Sequence, residues 1–368
     1  MSDCIDNIDL TFSIVSAEWH DKAIVSTPET ILAEARENIG FEVVEAPAIV
    51  EYNGERLELL DEEGKGYKVL LANCSKLPVH AGRKSHPPRL VPLHTCKGSF
   101  QPFQSFKMLD SVLESFGELG VGAQVSSIGT LKGLKLFYVS LVISGCDKFT
   151  DPTNNEVRNY FNLFNAHNGE MAYTGKSSAT RIVCFNTWTM SRMELSQLEV
   201  AVKHSKLADP VFQMEKALKA YIESVDQTKA LCEALAKETL TLDAMRSIAA
   251  GYFLQPAMAL AREQKKEVQP DKLKLSKQAQ NAIAGIVELA IDGKGNAGRT
   301  QYDLMNGATD WWSNGGGVGG DQVGLSKRVY RSRFGSADAH KSAFISYLAN
   351  PELVADGLAI GGQVLANV

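Results

Sequence analysis

Apolar positions change their spacing along this chain, and the change divides it into two halves. Early on they alternate or run together in short blocks. Residues 41–50 and 52–60 read as strands around Asn53-Gly54, a strong two-residue hairpin turn. Residues 67–72 read as a third strand. Gly122 to Leu131 and Leu134 to Ile143 form a second hairpin about Lys132-Gly133. Phe161 to Asn165, Met171 to Gly175 and Arg181 to Thr189 are further strand candidates, with Asn168-Gly169 as a turn. Two helices interrupt this pattern. One is introduced by Thr27-Pro28-Glu29 and runs to about Asn38. The other carries Phe106, Leu109, Val112, Leu113 and Phe116 at helical spacing within Phe103 to Phe116.

After Trp188 the period becomes helical. Asp209-Pro210 opens a helix with an apolar stripe through Val211, Met214, Leu218, Tyr221, Ile222 and Val225. Helices follow at Thr241 to Phe253, Lys272 to Ile291, Thr300 to Trp311 and Ala337 to Leu348. The stretch 75–97 contains Pro78, Pro87, Pro88 and Pro92 and reads as an irregular arm. Asn314 to Gly324 is glycine-rich and reads as a loop. The expected fold class is α+β, with antiparallel hairpins and packed helices in the N-terminal half and a mostly helical C-terminal half. The expected organisation is an acidic α/β segment over 1–73, a central core over 74–206 and a helical region over 207–368.

Charge refines this picture. The net charge is −5 over 368 residues, yet residues 1–63 hold 16 acids and 3 bases. The remainder is therefore net basic by 8. Residues 74–107 contain six Lys or Arg and no acid. An acidic head on a basic body packs against its own or a neighbouring chain, or the body binds a polyanion; a patterned surface with no partner is the plain alternative. The N-terminus lacks the apolar run of a secretory signal, and no apolar run is long enough to span a bilayer. With six scattered cysteines and no CxxC, the expectation is a cytoplasmic protein with reduced thiols.

Several patterns carry candidate chemistry. Gly293 to Thr300 (GKGNAGRT) approaches a phosphate-binding loop, but Arg299 stands where the lysine belongs and a helix precedes it. A helix–helix loop is the better reading. Cys74, His80, His86, His94 and Cys96 are zinc-type ligands at a spacing that fits no familiar zinc pattern. Cys184 with His167 or His204 offers a nucleophile and a base, but Cys184 sits in an apolar run. Trp311-Trp312, beside the glycine-rich loop, offers a stacking surface or plain core. No catalytic set, metal or cofactor is expected. A basic set does stand out: Lys132, Lys135, Arg158, Lys176, Arg181, Lys203 and His204, with Lys206 nearby. Such cations neutralise phosphates, and strand-borne aromatics stack bases.

The segment 167–217 carries His167 with Gly169, then Arg181, Cys184, Asn186 and Thr187, then Lys203, His204 and Ser205 ahead of a long helix. In this order and spacing it resembles the phage- and plasmid-borne family catalogued as domain of unknown function 932. Residues 98–115, 129–135 and 299–309, and Phe334-Gly335-Ser336, match further parts of that pattern. Lys135 and Asn168 depart from the arginine and aspartate usual there. The resemblance implies a phage-type origin and supplies no chemistry. The order of hairpins and helices is also loosely similar to phage Red-beta-type annealing proteins, a likeness at the level of layout. The expected function is single-stranded DNA binding, as an annealing protein that forms homo-oligomers and uses no nucleotide. The alternative is an effector that engages a host or phage protein through its acidic head.

Overall fold

A computed structural model describes residues 8–14, 23–74, 90–169, 173–181, 186–189, 200–202, 210–264, 267–313 and 336–367. The fold is α+β, with strands mainly in the N-terminal part and helices mainly in the C-terminal part. Two compact units divide it: residues 1–147, 160–177 and 197–222 form the first, and 148–159, 178–196 and 223–368 the second.

The first unit is built on an antiparallel core. Strands β8 (Ala123–Leu131) and β9 (Leu136–Ile143) form the hairpin expected from Lys132-Gly133. Strand β11 (Glu156–Ala166) pairs with β9, and β1 (Ile8–Ser13) pairs with β8. A short β2 (Ile24–Val25) flanks β1. Strand β12 (Tyr173–Arg181) follows β11 in the order and pairs with β14 (Val200–Val202). Successive residues are buried along β8 from Val125 to Leu131, along β9 from Leu136 to Leu141, and along β11 from Asn159 to Ala166. Burial at consecutive positions means both faces of these strands are covered.

Helix α1 (Ile31–Ile39) buries Ile31, Ala35 and Ile39 at four-residue spacing. Thr27 leads it in, its hydroxyl accepting from Thr30 N. Helix α2 (Ser105–Glu118) buries Met108, Leu109, Val112 and Phe116. Phe116 meets Phe161 edge-on at 5.8 Å, and Phe106 meets Phe137 at 5.2 Å.

A smaller sheet runs β3 (Glu42–Pro47), β6 (Tyr67–Asn73), β7 (Leu90–Lys97). Strand β7 corrects the expectation of an irregular arm at its C-terminal part. Proline is tolerated there because, among the described residues, β7 lies at the sheet edge and the register slips beside Pro92. The ribbon β4 (Ile49–Tyr52) and β5 (Glu55–Glu58) turns at Asn53-Gly54, both left-handed at φ 53° and 83°.

In the second unit, β10 (Lys148–Thr150) pairs with the start of β11, and the end of β12 pairs with β13 (Asn186–Thr189). The helices are the later part of α3 (Pro210–Leu235), then α4 (Leu242–Glu263), α5 (Lys277–Asp292), α6 (Gln301–Ser313), α7 (Ser336–Leu348) and α8 (Pro351–Ala366). Val157 and Ala179 join the helical core with Met245, Ile286, Tyr302 and Phe344. Glycines set the closest helix approaches. A Cβ on Gly251 would lie 2.2 Å from Gly357 Cα, and one on Gly361 would lie 2.2 Å from Ser247 O. Likewise a Cβ on Gly307 would lie 2.4 Å from Ile286 O. Backbones therefore touch where α4 meets α8 and where α5 meets α6.

Asp151 pins a turn to this helical core. One carboxylate oxygen accepts from Thr153 and Asn155 N, the other from Tyr302 Oη at 2.7 Å. Asn155 Nδ2 donates to Gly295 O. The loop that approaches a phosphate-binding pattern thus links two helices, and its Thr300 hydroxyl and amide donate to Asp303 as a helix cap. Trp312 stacks on His340 at 5.5 Å, while Trp311 packs on Gly285.

Gly361→Val is expected to lower stability by about 1–3 kcal/mol, since a Cβ there meets only the backbone of Ser247 and Gly251 and no side chain can yield. Gly117→Ala, in open space within α2, is expected to raise it by about 0.5–1 kcal/mol. Urea unfolding of both variants checks this pair, and equal effects would contradict the packing described.

Candidate nucleic-acid interface

The β8–β9 turn is locally strained. Lys132, Gly133 and Leu134 have φ of 57°, 67° and 68°, three left-handed residues in succession. For a leucine this conformation costs about 1–2 kcal/mol. Leu134 is only 4% exposed and packs with Val43, Leu70, Leu93 and Cys96. Burying a leucine stabilises by about 1.5–3 kcal/mol, so burial outweighs the strain. The result is a pinned turn with Lys132 and Lys135 half-buried on either side of the anchor.

The turn is tied to a buried polar cluster. Lys135 O accepts from His167 N at 2.8 Å. His167 is fully buried, meets Phe41 edge-on at 6.0 Å, and shares a hydrogen bond between Nε2 and Ser105 Oγ at 3.1 Å. Asn165 Nδ2 donates to Phe103 O and to Ser105 Oγ. Two residues on, Gly169 is left-handed at φ 76°, and a Cβ there would lie 3.1 Å from His94 Nε2. The left-handed backbone favours glycine at this turn. The cluster fastens the first residue of α2 to the end of β11 and to the lysine turn.

Ser105 also lines a cleft of about 290 Å³, together with Arg36, Phe41, Glu42, Phe106 and Lys107. Arg36 is ion-paired with Asp110 and lies over the Phe106 ring at 5.0 Å. A serine bonded to a histidine invites a nucleophile reading. A working pair also needs a third group that orients the histidine. The amide in this cluster, Asn165, is bonded to the serine instead. Through these bonds the cluster joins the start of α2 to the end of β11.

The basic residues expected from sequence are distributed as follows. Lys132 and Lys135 share the pinned turn. Lys176 is half-buried on β12, and its carbonyl accepts from Asn162 Nδ2. All three belong to the first unit. Arg158 belongs to the second unit and is ion-paired with Glu156 at 2.7 Å. Arg181 ends β12, where only its backbone is described. Lys203 and His204 lie outside the described residues, as do Lys206, Cys184, His80 and His86. Of the remaining zinc-type ligands, Cys74 and Cys96 are buried in the small sheet, where burial raises the Cys96 thiol above its ordinary pKa. Among the described residues no group of three metal-ligating side chains occurs.

The aromatics of β9 and β11 are not free to stack bases. Phe137, Tyr138, Phe161 and Phe164 are buried. Sequence reading singled out His167 but not its partners Ser105 and Asn165. The signal was present in Asn159, Asn162 and Asn165, amides placed inside an apolar strand, where each must find a partner.

A family model described as Domain of unknown function (DUF932) matches residues 92–339, well over half of the chain. This chain belongs to that family. No curated protein and no solved structure matches it. In this DUF932 protein the matched span contains the pinned turn and the Ser105–Asn165–His167 cluster, and it leaves out the β4–β5 ribbon. Among the described residues no helix is long and apolar enough to cross a membrane.

Losing a buried partner here is expected to cost about 1–3 kcal/mol. Asn165→Ala and His167→Ala should each destabilise on that scale. Because both residues act on the same hydroxyl, their effects should couple by about 0.5 kcal/mol or more. A double-mutant cycle in urea checks it, and additive effects would contradict the network.

Proposed function

We propose that this DUF932 protein is a phage-type DNA-metabolism protein that binds single-stranded DNA by its phosphates and acts in strand annealing without a nucleotide. The observation that carries this reading is the pinned turn: Leu134 is buried, and Lys132 and Lys135 are held at fixed places on either side of it. A cation on a pinned turn loses less conformational freedom on meeting a phosphate than one on a loose loop. Lys176 extends the basic set within the same unit.

The burial of the aromatics on β9 and β11 supports contact through charge and not through stacked bases. Bases left unstacked by protein remain available for pairing, which annealing requires. The net charge of +8 beyond residue 63 favours a polyanion in the same sense. Arg158, Arg181, Lys203 and His204 complete the proposed set. The proposed site of action is the bacterial cytoplasm.

Binding of a labelled oligo(dT) should weaken as salt rises. In Lys132→Glu/Lys135→Glu, the slope of log K against log salt should become shallower by about 1.4, two phosphate contacts at about 0.7 each on a single strand. Fluorescence anisotropy across a salt series reads this. Unchanged affinity and slope in the variant would reject the turn as the contact surface.

A further inference from the structure

The dipeptide Asn-Gly occurs four times in the chain, at Asn53-Gly54, Asn168-Gly169, Asn306-Gly307 and Asn314-Gly315. In each, the asparagine carboxamide stands beside a peptide nitrogen whose own residue has no side chain, so ring closure between the two meets little steric resistance. Asn314 lies outside the described residues. The other three stand in different settings.

Asn306 is 1% exposed within α6, and a Cβ on its Gly307 would lie 2.4 Å from the α5 backbone at Ile286 O. Asn168 is half-buried beyond the end of β11 and follows His167, which is fully buried and donates its N–H to Lys135 O. A Cβ on Gly169 would lie 3.1 Å from His94 Nε2. Asn53 and Gly54 are exposed at the tip of the β4–β5 ribbon, and a Cβ on Gly54 would meet nothing within 4 Å. The ribbon is a sheet of its own, with four exposed residues on each strand. A two-stranded ribbon is marginally stable in water, so its tip opens locally at small cost.

We propose that Asn53 is a site of spontaneous deamidation in the folded protein, and that the fold protects Asn168 and Asn306. The Gly54 nitrogen gives its proton to hydroxide and attacks Asn53 Cγ. A new C–N bond forms, the Cγ–Nδ2 bond breaks, and Nδ2 takes up a proton from water and leaves as ammonia. Water then opens the five-membered imide. Attack at Cγ gives aspartate, and attack at the main-chain carbonyl carbon gives isoaspartate. One water is consumed and one ammonia released, with no oxidant or reductant. Either product adds a negative charge to residues 49–63, which hold six acids and one base. Isoaspartate also adds a carbon to the main chain of a two-residue turn. That turn sets the register in which Tyr52 opposes Glu55, so the ribbon loses pairing at its tip.

The full chain is held in mildly alkaline buffer, either folded or in guanidinium chloride, and sampled over time. Peptide mapping by mass spectrometry, with the asparagine, aspartate and isoaspartate forms resolved, gives the rate at each site. The readout is the rate in the folded chain divided by the rate in denaturant, which cancels the influence of sequence neighbours. The ratio for Asn53 should exceed those for Asn168 and Asn306 by at least about tenfold, the factor given by an extra opening cost of about 1.4 kcal/mol at the protected sites. A smaller margin over either site, or a reversed order, would overturn the proposal. The test uses no DNA and is independent of the nucleic-acid reading.

Discussion

Covering both faces of β8, β9 and β11 is the constraint on which the first unit depends. A sheet solvated on one face would offer a platform for a ligand. Here consecutive residues are buried along all three strands, aromatics included. The core gains stability from this, and the proposed phosphate contact falls on a turn at the end of the strands. The Lys132–Lys135 turn shows how such a place is made. Left-handed backbone at Lys132 and Leu134 is an unfavourable local choice, and the burial of Leu134 helps to offset it. The same burial fixes where the two lysines stand.

Covered strands also require that their polar residues be satisfied internally. Tyr138 Oη donates to Thr11 Oγ1, and Ser140 Oγ donates to Asn162 Oδ1, each at 2.7 Å. Asn165, Ser105 and His167 answer the same requirement at the end of β11. A buried network of this kind selects one arrangement of helix, strand and turn, because alternatives leave polar groups unpaired. The second unit reaches specificity by another route. Gly251, Gly357 and Gly361 let backbones meet, so the helix contacts are fixed by the absence of side chains.

Much of the fold was legible in local signals. Asn53-Gly54, Lys132-Gly133 and Asn168-Gly169 all mark turns, where Asn53, Gly54, Lys132, Gly133 and Gly169 are left-handed. Asp209-Pro210 and Thr27-Pro28 placed two helix starts near their observed positions. What escaped was decided by tertiary context. Strand β7 was hidden by Pro92, which sits at a register slip in a strand that is an edge among the described residues. Helix α8 was missed because Gly357, Gly361 and Gly362 weaken its local propensity; two of them are required by α4 and Tyr347. At the candidate site, the turn lysines and His167 were visible, but their connection was not. Ser105 and Asn165 lie 60 residues apart, and their hydrogen bond exists only after folding.

The central claim is that ligand contact is confined to the turn end of the first unit, since the strand faces are closed. Hydrogen–deuterium exchange with and without saturating oligo(dT) tests it most directly. The account predicts slower exchange at 131–136 and around Lys176, with β9 and β11 unchanged. Bound oligonucleotide with no protection at the turn, or with protection centred on β9 and β11, would contradict it.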